Sequence, residues 1–174
     1  MKIYIASSWK NQHGVEMLTA LLREKGYEVI SWIENNFGEL ESIKEMSFDE
    51  WVWTERADRC FKFDTDGAMN CDLLIYYGPA GQDASAEAAL AFAKGIPVLG
   101  LHAKGENLGL MRKMMKSWSI NIPDLLTQVE MYDPNPFACF GRRPMRMDFD
   151  DQFEFEQRLC QYDEFEDQRK HKAV

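Results

Sequence analysis

Short unbroken apolar runs alternate in this chain with helix-spaced repeats, and that alternation predicts its elements. Lys2 to Ala6, Tyr27 to Ile33, Leu73 to Tyr77, Ile96 to Leu99 and Trp118 to Ile120 are short, mostly apolar runs, read as buried strands. Val15, Leu18, Leu21 and Leu22 recur at helical spacing and predict an amphipathic helix over Gln12 to Lys25, ended by Gly26. Glu34 to Met46 reads as a loop, with Asn35, Asn36 and Gly38 as breakers. Ser47 with Glu50 three residues on is a capping-box pattern that opens a long helix. The aromatic residues Trp51, Trp53, Phe61 and Phe63 are read as packing that helix on the sheet. Asn107 to Lys116, Pro123 to Val129 and the charged stretch Phe149 to Gln168 are the later helices. Strands separated by helices pair in parallel. The predicted fold is therefore α/β, a flavodoxin-like three-layer sandwich with a five-stranded parallel sheet. Residues 1–145 form that domain, and 146–174 are a charged helical extension.

The chain is organised around the unit from Leu73 to Leu99. A strand ends at Gly78, Pro79 and Gly81, and a nearly all-alanine helix follows, with Asp83 or Ser85 as candidate caps. Lys94 and Gly95 close the helix, and the next strand begins at Ile96. Glu87 does not fit a packing role. It is read in the first turn of a small-residue helix, just past the carboxyl end of a strand, where open α/β sheets bind ligands. A helix N-terminus favours an ionised carboxylate, and an ionised, fixed carboxylate is what a covalent glycosidic mechanism uses as its nucleophile. The competing reading is a glutamate that merely complements the helix dipole. Ser7, Ser8, Trp9, Lys10 and Asn11 form a polar loop on the same sheet edge, and His102 lies in another.

Composition narrows the partners. The net charge of -9 argues against a nucleic-acid polymer, which calls for a basic face. No window is apolar enough to cross a bilayer, and the first apolar run stops at Ser7-Ser8 with no cleavage-like site, so a cytoplasmic protein without a membrane partner is expected. The four cysteines show no C-x-x-C spacing and do not combine with the three histidines at zinc-ligand spacing, so neither metal nor cofactor is expected.

Three stretches resemble the nucleoside 2-deoxyribosyltransferase family: Ile3 to Trp9, Phe63 to Met69, and the helix from Glu87 through Ala89, Ala91, Ala93 and Gly95 to Pro97-Val98. The resemblance runs from residue 1 to about residue 100. It implies that Glu87 is the nucleophile, that Tyr4 orients it, and that Asp66 acts near the nucleobase. It matches Trp9 to an aromatic residue of the first loop, and implies a homo-oligomer in which a neighbouring subunit completes the site, with Asn121 as a candidate. Ser7, Gly78, Asp83 and Ser85 join Trp9 as substrate-binding candidates. The chain departs from the family pattern at Ala89, where a glycine is usual, and in its 81–85 turn.

The reaction so implied is transfer of 2-deoxyribose between nucleobases. Glu87 attacks the anomeric carbon of a deoxynucleoside or deoxynucleotide while Asp66 or Asp83 protonates the departing base. A second free base or water then takes the sugar, with retained configuration. The alternatives are an N-glycoside hydrolase and a non-catalytic nucleotide-binding module.

Overall fold

The computed structural model describes residues 1–36, 47–106 and 109–133. All of them belong to the first of the two units into which the chain divides, Met1–Arg142. The expected division after residue 145 and the helix over 149–168 lie outside the described residues.

Five strands form one parallel sheet: β1 (Lys2–Ser7), β2 (Glu28–Ser31), β3 (Leu73–Tyr77), β4 (Val98–Leu101) and β5 (Ser117–Ser119). Their order is β2-β1-β3-β4-β5, with Tyr4 opposite Ile30 on one side and Leu74 on the other. This is the α/β layered, five-stranded architecture read from the sequence.

Alternation along the strands separates two faces. Ile3, Ile5, Leu73, Ile75, Leu99 and Leu101 meet Val15, Leu18 and Leu22 of α1 (Gln12–Glu24), and Leu125 and Val129 of a C-terminal helix, in one apolar core. Tyr4 and Leu74 turn to the other face, which two further helices cover. These are α4 (Glu55–Met69) and α5 (Gln82–Ala93), which bury mostly small residues: Ala57, Gly67 and Ala68 on the first, Ala84, Ala88 and Ala91 on the second. Small side chains let these helices lie close to the sheet, so the few large or charged groups on this face stand out.

Several boundaries differ from the sequence reading. β2 stops at Ser31 because Glu34 accepts from both its N–H and its hydroxyl, at 2.8 and 2.9 Å, and turns the chain into α2 (Ile33–Asn36). The rest of the expected 34–46 loop lies outside the described residues. The long helix opened by Ser47 is two helices. The capping box of Ser47 and Glu50 starts α3 (Phe48–Trp51), and Thr54 then caps α4 by accepting from the Ala57 N–H. Trp53 and Phe61 are not packed on the sheet; they are 86% and 71% exposed. Within the stretch expected as a helix over 107–116, the described residues hold a 3-10 turn, Leu110–Met114. The helix expected from Pro123 is α6 (Ile122–Tyr132), capped by the Asn121 side chain at 2.8 Å from the Asp124 nitrogen. That capping bond is the role the structure gives Asn121.

Candidate active site

Tyr4 sits at the centre of β1 with its ring buried under α4. The ring has room there because residue 67 is glycine: a Cβ on Gly67 would lie 2.6 Å from Tyr4 Cε2. The Tyr4 hydroxyl reaches past Gly67 and donates to Asp64 Oδ1 at 3.2 Å. Asp64 precedes Gly67 by three residues and Ala68 by four, so all three occupy the sheet-facing side of α4.

Glu87 approaches the same hydroxyl from α5. The helix begins at Gln82 with Gly81 as its N-cap and no side-chain cap. Glu87 is therefore in the second turn, on the buried face with Ala84, Ala88 and Ala91. The expectation of an ionised first-turn glutamate does not hold. Burial pushes the Glu87 carboxyl up to about 9; the nearby Asp64 and Asp83 carboxylates raise it further, and hydrogen bonding with Tyr4 offsets only part. Its Oε2 is buried with no hydrogen-bond partner among the described residues. Burial also pushes Asp64 up to about 6, against the lowering effect of the Tyr4 hydrogen bond. The Tyr4 phenol is driven far above its ordinary range, first by burial and then by the two carboxylates. Two carboxyls with well-separated affinities for a proton thus flank one hydroxyl, an arrangement that keeps a single proton between them around neutral pH.

The structure brings Tyr4 and Glu87 together but leaves Asp66 out. Asp66 lies two positions beyond Asp64, about 200° further round α4 by helix geometry. It is half-exposed and paired with Lys62 at 2.5 Å. Asp64 takes the place beside Tyr4. The sequence does contain the signal for this, since the small pair Gly67-Ala68 marks the sheet-facing side of the helix and Asp64 shares it. Asp83 is exposed in the first turn of α5, close enough to raise both the Glu87 and the Asp64 carboxyl.

The remaining candidates line the carboxyl edge. Ser7 donates to the Tyr77 carbonyl at 2.8 Å and accepts from Asn11 Nδ2 at 3.0 Å, while Asn11 reaches the Pro79 carbonyl at 2.7 Å. These bonds tie the end of β1 to the turn before α5, and nothing in the sequence singled out Asn11 for it. Trp9, in a 3-10 turn capped by Ser8, is 73% exposed. Gly78 is buried with no room for a side chain, because Glu106 Oε2 occupies that space. Ser85 does not cap α5 from ahead; its hydroxyl donates back to the Gly81 carbonyl at 3.0 Å. His102 meets the edge of Trp118 and the Glu106 carbonyl, away from Glu87. Among the described residues no group of three His, Cys, Asp or Glu is arranged to hold a metal ion, and no helix is long and apolar enough to cross a membrane.

A solved structure of a 2-deoxyribosyltransferase from the psychrotolerant bacterium Bacillus psychrosaccharolyticus aligns with 82% of this chain and all of that one, at TM-score 0.59 and 23% identity. The fold is that of a 2-deoxyribosyltransferase. A conserved protein from Enterococcus faecalis V583 aligns with 75% of this chain and 98% of its own, at TM-score 0.54 and 18% identity. A Clostridium botulinum CMP N-glycosidase aligns over 75% and 99% of the two chains, at TM-score 0.49 and 20% identity. No family model matches the sequence, and no curated protein matches it.

Proposed function

We propose that this protein cleaves the N-glycosidic bond of a deoxynucleoside or deoxynucleotide and passes the 2-deoxyribose to another nucleobase, with Glu87 as the nucleophile. The observation that carries the reading is the trio of buried Glu87, buried Tyr4 and part-buried Asp64 in the 2-deoxyribosyltransferase fold.

The trio supplies both groups that the chemistry needs. Near neutral pH the free protein keeps a proton on Glu87 and leaves Asp64 mostly ionised. Glu87 cannot attack while protonated. Tyr4, which donates to Asp64 and also lies within hydrogen-bonding reach of Glu87, offers a path along which the proton crosses from one carboxyl to the other. That one transfer creates a carboxylate at Glu87 and an acid at Asp64. Glu87 then forms an ester bond to the anomeric carbon as the carbon–nitrogen bond breaks, and the Asp64 proton goes to the departing nitrogen. In the second half Asp64 takes a proton from the incoming base or water, the ester breaks, and two inversions leave the configuration unchanged. Because the carboxyls are desolvated, the charge formed on Glu87 is poorly stabilised until it meets the developing cation of the sugar. The interaction is therefore strongest in the transition state.

The test is incubation with deoxyadenosine and free cytosine. Formation of deoxycytidine is expected, together with a mass increase of one deoxyribosyl group on the denatured protein when acceptor is withheld. Glu87→Ala should abolish both while the circular dichroism spectrum is retained. Near-normal turnover in that variant would overturn the assignment. Free adenine without deoxycytidine would make the protein a hydrolase using the same trio.

A further inference from the structure

The flank of α5 opposite Glu87 is hollow. Residues two apart on a helix point about 200° from each other, so Ser85 faces away from the side on which Glu87 meets Tyr4. Ser85 instead lines a cavity of about 660 Å³ between the start of α5 and the 3-10 turn Leu110–Met114. That volume falls within the range of about 300–1,000 Å³ usual for small-molecule sites.

The walls select for a particular chemistry. Trp118 is buried, its ring seated on Gly100 where a side chain would collide, and its indole nitrogen donates to the Arg112 carbonyl at 3.4 Å. On this fixed base the Arg112 guanidinium lies over the indole, 5.8 Å from the ring centroid, with no ion-pair partner among the described residues. A guanidinium held over an aromatic ring keeps its N–H donors available for an anion, and their fork matches phosphate. The charged residues that line the cavity are Arg112 and Glu106. Glu106 is already engaged by the Tyr76 hydroxyl at 3.0 Å and the Ala103 N–H at 3.3 Å. Met111, Met114 and Met115 supply an adaptable apolar wall, suited to a flat ring.

We propose that this cavity is a binding site for a phosphate monoester bearing a flat ring, of the nucleoside monophosphate class, held by Arg112 and separate from the Glu87 trio. Its phosphate pairs with the guanidinium and its ring lies against the methionines. Ser85 and the second lone pairs of Glu106 remain as acceptors for hydroxyl or amino donors. The site does not depend on the glycosidic reading, because Arg112 and the methionines that define it take no part in the trio of Glu87, Tyr4 and Asp64; Ser85 alone is common to this cavity and the substrate-binding candidates.

Calorimetric titration of the full chain with deoxyadenosine 5′-monophosphate, deoxyadenosine and inorganic phosphate tests this. Glu87→Gln serves as the reference, so that turnover does not interfere. The monophosphate should bind more tightly than the nucleoside, and phosphate alone should compete with it. Adding Arg112→Gln should weaken the monophosphate at least about tenfold, with Arg112→Lys falling between. Met115→Trp, which fills the cavity, should block binding without touching the cation, and so decides the matter if an Arg112 variant folds poorly. Monophosphate binding that is absent, no tighter than that of the nucleoside, or indifferent to both Arg112→Gln and Met115→Trp would overturn the proposal. Arg112-dependent binding by a protein with no turnover would sink the glycosidic reading and leave this one standing. Turnover without such binding would do the reverse.

Discussion

The ring of Tyr4 lies directly across Gly67, so close that a single methyl group at residue 67 would come within 2.6 Å of it. This contact locks the hydroxyl between helices α4 and α5, where it meets Asp64. Gly67→Ala should therefore cost about 1–3 kcal/mol in stability through overpacking. It should also lower turnover beyond what that loss explains, because the ring must shift and carry the hydroxyl with it. Urea unfolding alongside steady-state kinetics checks both. A variant of reduced stability but unchanged kcat would show that Tyr4 need not be held where it is.

The buried Glu87 proton makes a second, purely thermodynamic prediction. In the unfolded chain Glu87 titrates near its ordinary value of 4.5, whereas in the folded protein it holds its proton up to about 9. Between those limits the folded state binds the extra proton, so this residue makes stability fall as pH rises. Below that window both states are protonated and the penalty vanishes. Glu87→Gln cannot ionise and should flatten the decline. It should match the parent near pH 5 and exceed it by up to a few kcal/mol near pH 8, an upper limit set by linkage. Urea midpoints across that range decide it. A stability difference that does not grow with pH would mean that Glu87 is ionised in the folded protein.

Most of the frame was legible in the sequence because a strand buried on both faces must be an apolar run, as Leu73 to Tyr77 is. The crossover helices follow from parallel pairing, and the closing glycine at Gly95 from its positive φ of 76°. What escaped were choices between neighbours. Asp64 and Asp66 differ by two positions, which reverses their side of α4, and only the docking of Gly67 on Tyr4 fixes which faces inward. Taking Asp83 or Ser85 as the cap of α5 put Glu87 in the first turn and suggested an ionised carboxylate; with Gly81 as the cap, burial dominates and the proton stays. Thr54 is a competent cap in its own right, and it is why the run from Ser47 breaks before α4. Exposed aromatic residues such as Trp53 carry no periodic mark that separates them from packed ones.

The shared proton fixes the last prediction, the shape of the pH–rate profile. In the mechanism proposed above, turnover requires Glu87 to surrender a proton and Asp64 to receive it, so the pair must hold one proton in total. At low pH both carboxyls are protonated, Asp64 cannot accept, and no nucleophile forms. At high pH the pair holds none, and the departing base finds no acid. kcat/KM for deoxyadenosine should therefore be bell-shaped, with limbs near about 6 and about 9, where the two carboxyls titrate. These values belong to the coupled pair rather than to either residue alone. Asp64→Asn removes the acceptor and should lower kcat by about 10²–10⁴-fold, the usual worth of a positioned acid. Asp66→Asn breaks only the exposed pair with Lys62, whose worth is small, and should leave both limbs in place. The two variants carry the same chemical change two residues apart. If Asp66→Asn proves the costly one, or if the parent profile is flat from pH 5 to pH 10, the proton is not shared through Tyr4 and the trio does not act as a unit.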